Sequence, residues 1–140
     1  MKKAKPIEEK PAVTQRYGLP LAQWEAMKAE LMEILIWHAR MKDLPTYSQI
    51  ADELKTVKFE RGSRALADLL TELSASEDAA GHGMISVMVV SKDTGRPGRG
   101  FLDQALKLGR KFNVSNPDSC ELFWRAELTK VRNHWNDLNL

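Results

Sequence analysis

A mainly α fold with one short strand is predicted by three observations on the sequence. Apolar residues recur at three- and four-residue steps in long stretches near both ends, the spacing of a helix with one buried stripe. A clean capping box, Thr46-Tyr47-Ser48-Gln49, opens a further helix between them. A run over 84–90, Met-Ile-Ser-Val-Met-Val-Val, is apolar, rich in β-branched residues and bounded by glycines, the pattern of a strand.

The elements follow in order. Residues 1–18 mix Lys, Glu and Pro with few large apolar side chains, so they are expected to form a flexible arm before a single domain over 19–140. Leu19-Pro20 opens the first helix, because proline in the first turn loses no hydrogen bond. Trp24, Met27, Leu31, Ile34, Leu35 and His38 mark its inner stripe, and Pro45 ends it by disfavouring helical geometry in Leu44. Tyr47, Ile50, Ala51 and Leu54 give the second helix its apolar face. Residues 55–62 read as a basic connection, and Ser63 is expected to cap a third helix that turns Leu66, Leu69, Leu70 and Leu73 inward.

After the strand, Gly95-Arg96-Pro97-Gly98-Arg99-Gly100 reads as a loop, with three readings open: a wing, a phosphate-holding nest of backbone N–H groups, or a tight surface turn. Phe101, Leu102, Ala105, Leu106 and Leu108 predict a fourth helix that stops at Gly109. Asp118 with Glu121 offers a second capping box, and Trp124, Leu128, Val131, Trp135 and Leu138 form the seam of a long terminal helix.

Composition limits the function. The chain has 140 residues, 43% hydrophobic and 29% charged, which fits one globular domain. One cysteine excludes an internal disulfide and a multi-cysteine zinc site, and points to a reducing, cytoplasmic setting. No apolar run is long enough to cross a bilayer, and the polar opening lacks the apolar stretch of a secretory leader. His38, His82 and His134 have no ligand spacing, so neither metal nor cofactor is expected. No carboxylate pair or triad stands out, and the chain reads as a non-enzyme.

The net charge of +2 is small, but its distribution is uneven. Lys55, Lys58, Arg61 and Arg64 form one basic block, and Lys92, Arg96, Arg99, Lys107, Arg110 and Lys111 form another. Glu72, Glu77 and Asp78 lie between them. Helix, short helix, third helix, strand and basic glycine loop is the chain order of a winged-helix-like helix-turn-helix core, here with a long C-terminal helix. In that architecture the third helix enters a groove and the wing follows the phosphates.

Thr46-Tyr47-Ser48-Gln49-Ile50-Ala51, Ser63-Arg64-Ala65-Leu66, and Val89-Val90 followed by Gly95 and Gly98 carry a resemblance. This stretch, about 44–101, resembles the winged-helix domain of the O6-alkylguanine-DNA alkyltransferases and alkyltransferase-like proteins. The resemblance implies a DNA-binding scaffold in which Arg64 matches an arginine that intercalates beside a flipped base. It does not carry over the reaction: where the family has Pro-Cys-His-Arg, this chain has Ile85-Ser86-Val87-Met88, and Cys120 lies far downstream.

The sequence therefore predicts non-catalytic binding of double-stranded DNA. Arg61 and Arg64 would act from the third helix, and Lys92, Arg96 and Arg99 from the wing, with Arg64 nearest the bases. The alternative is a protein-interaction or dimerisation module that uses the C-terminal amphipathic helix. Cys120 is expected to be an ordinary free thiol, and Trp124 and Trp135 to be core or the seam of a homodimer.

Overall fold

The computed structural model describes residues 15–56 and 64–137. The chain order is β1 (Gln15–Arg16), β2 (Leu19–Pro20), α1 (Leu21–Met41), α2 (Tyr47–Glu53), α3 (Arg64–Ala79), a 3-10 turn (Ile85–Met88), α4 (Arg99–Lys107) and α5 (Pro117–Asp137). The mainly α expectation holds. The expected cap at Ser63, the residues Lys58 and Arg61, and the arm over 1–14 lie outside the described residues.

The described fold starts earlier than the boundary expected at Leu19. Gln15 and Arg16 pair antiparallel with Pro20 and Leu19. The chain reverses through Tyr17 and Gly18, both at positive φ, as the tightest hairpin turns require. Tyr17 stacks on Trp24 at 5.7 Å, and its hydroxyl donates to the carboxylate of Asp68 on α3. A strained tyrosine thereby staples the hairpin to two helices.

α1 buries Trp24, Met27, Leu31, Leu35 and His38, the stripe that its spacing predicts. It ends where Lys42 turns left-handed and donates its N–H to Ala39. His38 is fully buried and tied at both ring nitrogens, to Asp43 at 2.6 Å and Glu53 at 2.8 Å, which fastens the end of α1 to α2. At α2, Thr46 Oγ1 accepts from the Gln49 N–H, half of the expected capping box. The Gln49 side chain does not reach back and donates to Glu53 instead.

The strand expected over 84–90 is a correction. Residues Ile85–Met88 form a 3-10 turn, and the one β-bridge nearby joins Val90 to Thr46 in parallel. Every residue from Met84 to Val90 is buried, against α1, α3 and α5. A strand buried there with no partner strand would orphan its backbone polar groups. The turn satisfies some of them locally, the bridge at Val90 pairs with the backbone of Pro45 and Tyr47, and side chains supply others. The Met84 N–H donates to Glu127 at 2.7 Å and the Ser86 N–H to Ser74 at 2.9 Å, while the Val87 carbonyl accepts from Trp124 Nε1 at 2.9 Å. Burying the four large side chains Ile85, Val87, Met88 and Val89 stabilises the fold by about 2 kcal/mol each, so this segment is the centre of the core.

Gly83 makes the entry to that segment possible. Its φ is +93°, and a Cβ there would stand 3.0 Å from Val131 Cγ2 and 3.1 Å from Glu127. The start of α5 is a second correction, since Asp118 and Glu121 do not form its cap. Asn116 does, accepting from the Ser119 N–H at 3.0 Å, with Pro117 at the first helical position. Trp124, Leu128 and Val131 pack into the chain's own core. No helix among the described residues is long and apolar enough to cross a membrane.

Candidate nucleic-acid interface

α2, α3 and the start of α4 enclose a cavity of about 200 Å³. Tyr47 lines it from α2, Ala67, Leu70 and Thr71 from α3, and Gly100, Phe101 and Gln104 from α4, with Ser86 at the back. Two contacts hold the walls together. The Tyr47 hydroxyl accepts from the Gly98 N–H at 3.2 Å, and Gln104 Nε2 donates to the Thr71 carbonyl at 2.9 Å. Ser86 is engaged with Ser74: its hydroxyl accepts from that of Ser74 at 2.7 Å while its N–H donates back. The closed pair orders the turn.

Two of the expected contact residues stand on the elements that flank this cavity. Arg64 is the first residue of α3 and its side chain is 83% exposed, with Nε 3.6 Å from Asp68 one turn on. Arg99 is the first residue of α4, 69% exposed, with Nε donating to Asp103 at 2.9 Å. Arg99 is therefore a helix residue and not part of a loop, which corrects the expected start of the fourth helix at Phe101. Lys92 is exposed and lines a neighbouring polar groove with Thr46, Ser48, Gln49, Asp52, Glu53 and Lys55. Tyr47 belongs to one wall and its neighbours Thr46 and Ser48 to the other, so the cavity and the groove adjoin at the start of α2, and in the groove Lys55 and Lys92 stand with Asp52 and Glu53. Arg61 lies outside the described residues.

Arg96 is turned the other way. Residues 91–96 close into a turn, with the Ser91 N–H donating to the Arg96 carbonyl at 2.9 Å and the Gly95 N–H to the Ser91 carbonyl at 2.8 Å. The side chain reaches α5, where Nε and Nη2 each donate to Glu121 at 2.7 Å. Nη1 donates to the Gly95 carbonyl, and the guanidinium lies 4.1 Å over the Trp124 ring. The Arg96 hydrogen bonds hold the Glu121 carboxyl down at about 2, and Arg125 adds to the effect. This guanidinium fastens the 91–96 turn to α5. Among the described residues no hairpin follows Val90, so the expected wing is this tethered turn.

Sequence reasoning missed Tyr47 as a clasp on Gly98, and the carboxylates opposite Arg64 and Arg99. The second had a signal, since Arg-x-x-x-Asp within a helix is an i,i+4 pair. Glu121 had none, being 25 residues from Arg96. No group of three or more His, Cys, Asp or Glu side chains is placed to hold a metal ion among the described residues. Cys120 is partly buried, its thiol facing the carbonyls of Asn113 and Val114. Comparison with protein-family models, curated proteins and solved structures finds no match to this chain.

Proposed function

We propose that the chain binds double-stranded DNA non-catalytically, in the manner of a winged-helix-like helix-turn-helix, laying α3 and the start of α4 along the duplex. One observation carries the reading: Arg64 and Arg99, 35 positions apart in the sequence, begin the two helices that wall the same cavity. Between them Ala67, Thr71 and Gly100 are exposed and small, so a phosphate backbone can approach without meeting long side chains. Past the start of α2, Lys92 and Lys55 share their groove with Asp52 and Glu53, so the positive charge of the contact surface centres on Arg64 and Arg99. Arg64 lies nearest the bases in this arrangement and Arg99 and Lys92 contact phosphate. Arg96 leaves the contact set, because its donors are committed to Glu121 and Gly95. The reading based on the terminal helix has less support, since Trp124, Leu128 and Val131 of its seam are taken up by the chain's own core.

The test is a fluorescence-anisotropy titration on random-sequence duplex over a range of salt. Each cation that neutralises a phosphate contributes a slope of about 0.9 in log K against log salt. The Arg64→Ala/Arg99→Ala variant is expected to bind more weakly and to lose about 2 from that slope. Arg96→Ala is expected to keep the wild-type slope. Equal affinity and slope for wild type and the double variant would overturn the proposal.

A further inference from the structure

Arg64 and Arg99 open their helices with the same pattern, an arginine followed four residues on by an aspartate, yet the two pairs differ in geometry. Arg99 Nε donates to Asp103 at 2.9 Å, a closed ion pair. Arg64 Nε stands 3.6 Å from Asp68 Oδ1, beyond hydrogen-bond reach. A third side chain marks the difference. The other oxygen of Asp68, Oδ2, accepts from the hydroxyl of Tyr17, 51 positions earlier in the chain.

Tyrosine is a costly choice at position 17. It is the first loop residue of the hairpin, at φ +53°, a place that asparagine or glycine fills with less strain. What tyrosine adds is its side chain. The ring stacks on Trp24, which is buried and pinned through Nε1 to Glu72 of α3 at 3.2 Å. The ring is thereby aimed at α3, and its hydroxyl ends at Asp68. We propose that Tyr17 draws Asp68 away from Arg64 and so keeps that guanidinium unlatched for a phosphate, which makes Tyr17 a positioning residue of the DNA face. The proposal rests on the reading of α3 as a duplex-binding element. A carboxylate oriented by the tyrosine hydroxyl offers Arg64 its other oxygen only at a distance, so a phosphate arriving there displaces no closed bond. At Arg99 it must displace one. Arg64, placed nearest the bases, is in this way the readier of the two cations.

Two measurements on the full chain test this, the first without nucleic acid. Exchange of the Arg64 Nε hydrogen with solvent, followed by NMR of the arginine side chains, is expected to be faster than that of Arg99. Tyr17→Phe, which keeps the ring on Trp24 and removes the hydroxyl alone, is expected to slow Arg64 toward the Arg99 rate and to leave Arg99 unchanged. Equal rates in wild type, or an Arg64 rate that Tyr17→Phe does not move, overturn the proposal. In the duplex titration, Tyr17→Phe is expected to weaken binding by about two- to fivefold, the range of an exposed ion pair. That loss is expected to vanish in an Asp68→Asn background, where no carboxylate is left to close on Arg64. A hydroxyl that merely held the hairpin in place would cost as much in either background, and that result overturns the proposal. Wild type that binds no duplex, with exchange rates as expected, overturns the DNA reading itself, and the control of Arg64 by Tyr17 then stands without that partner.

Discussion

Arg96 and Arg110 on the α5 side of the molecule differ from Arg64 and Arg99 on the α3 and α4 face in what surrounds an identical guanidinium. Arg110 is mostly buried and joins three separate segments, with Nη2 2.6 Å from Asp78 of α3 and 2.7 Å from Glu127 of α5. Glu127 is itself buried and accepts the Met84 N–H, so this ion cluster fixes the entry to the central turn. Arg64 and Arg99 have one carboxylate each, four residues along their own helix, and water on most sides. A guanidinium between elements holds the fold, whereas one paired within its own helix remains available to a polyanion. Position relative to other elements, not residue type, divides the two sets.

The largest effect that sharpens this contrast is expected at Arg110. Arg110→Ala leaves Asp78 and the buried Glu127 without their cation, and removing one partner from such a cluster is expected to cost about 3 kcal/mol. The measurement is urea denaturation with the slope held common between variants. Arg110→Lys is expected to recover only part, because an ammonium cannot reach both carboxylates with the planar fork that Arg uses. A loss near zero would place Arg110 with the solvent-facing set and dissolve the distinction.

What the sequence made legible follows the range of the interactions involved. The stripe of α1, the Thr46 cap and the inward leucines of α3 are set by residues within four positions of one another, and they appear as expected. The 84–90 run carries the local signature of a strand, β-branched residues bounded by glycines. Its real conformation depends on Ser74, Trp124 and Glu127, up to 43 positions away, which satisfy the backbone that a sheet would otherwise satisfy. The same limit governs the candidate site. Arg64 and Arg99 were legible as cations on or near helix starts, but the turn of Arg96 toward α5 was not, since Glu121 and Trp124 become its neighbours only after folding. At Asp118 and Glu121 a motif was present but outcompeted: Asn116 with Pro117 starts the helix earlier, and Glu121 is engaged by two arginines.

Acid should separate the two sets by a smaller margin. Glu121 titrates at about 2 in the folded chain against an ordinary value of 4.5, chiefly through its bonds from Arg96. A carboxyl whose folded pKa is depressed adds stability that is complete above the unfolded value and is lost as pH falls toward the folded one. The thermal midpoint is therefore expected to drop between about pH 4.5 and pH 2, and Glu121→Gln should remove part of that drop. Asp78, lowered mainly by its bond from Arg110, contributes in the same direction and keeps the variant's profile from becoming flat. A Glu121→Gln profile identical to wild type would mean that the Arg96 bridge adds nothing in solution.

The smallest expected effect is the one on which the contrast depends most. Arg64→Ala/Arg99→Ala removes two exposed side chains whose partners are carboxylates on the same helices, Asp68 keeping its bond from Tyr17, and such i,i+4 pairs contribute little in water. Alanine is also the better helix former, which offsets part of what is lost. The thermal midpoint of this double variant should therefore match wild type within error, in the same samples that lose duplex affinity and salt slope. That combination is diagnostic, because a fold defect lowers both quantities and a lost phosphate contact lowers only the second. If the midpoint falls as it does in Arg110→Ala, these two arginines hold the walls of the cavity together, and the α3 and α4 face loses its claim to be the surface left free for a partner.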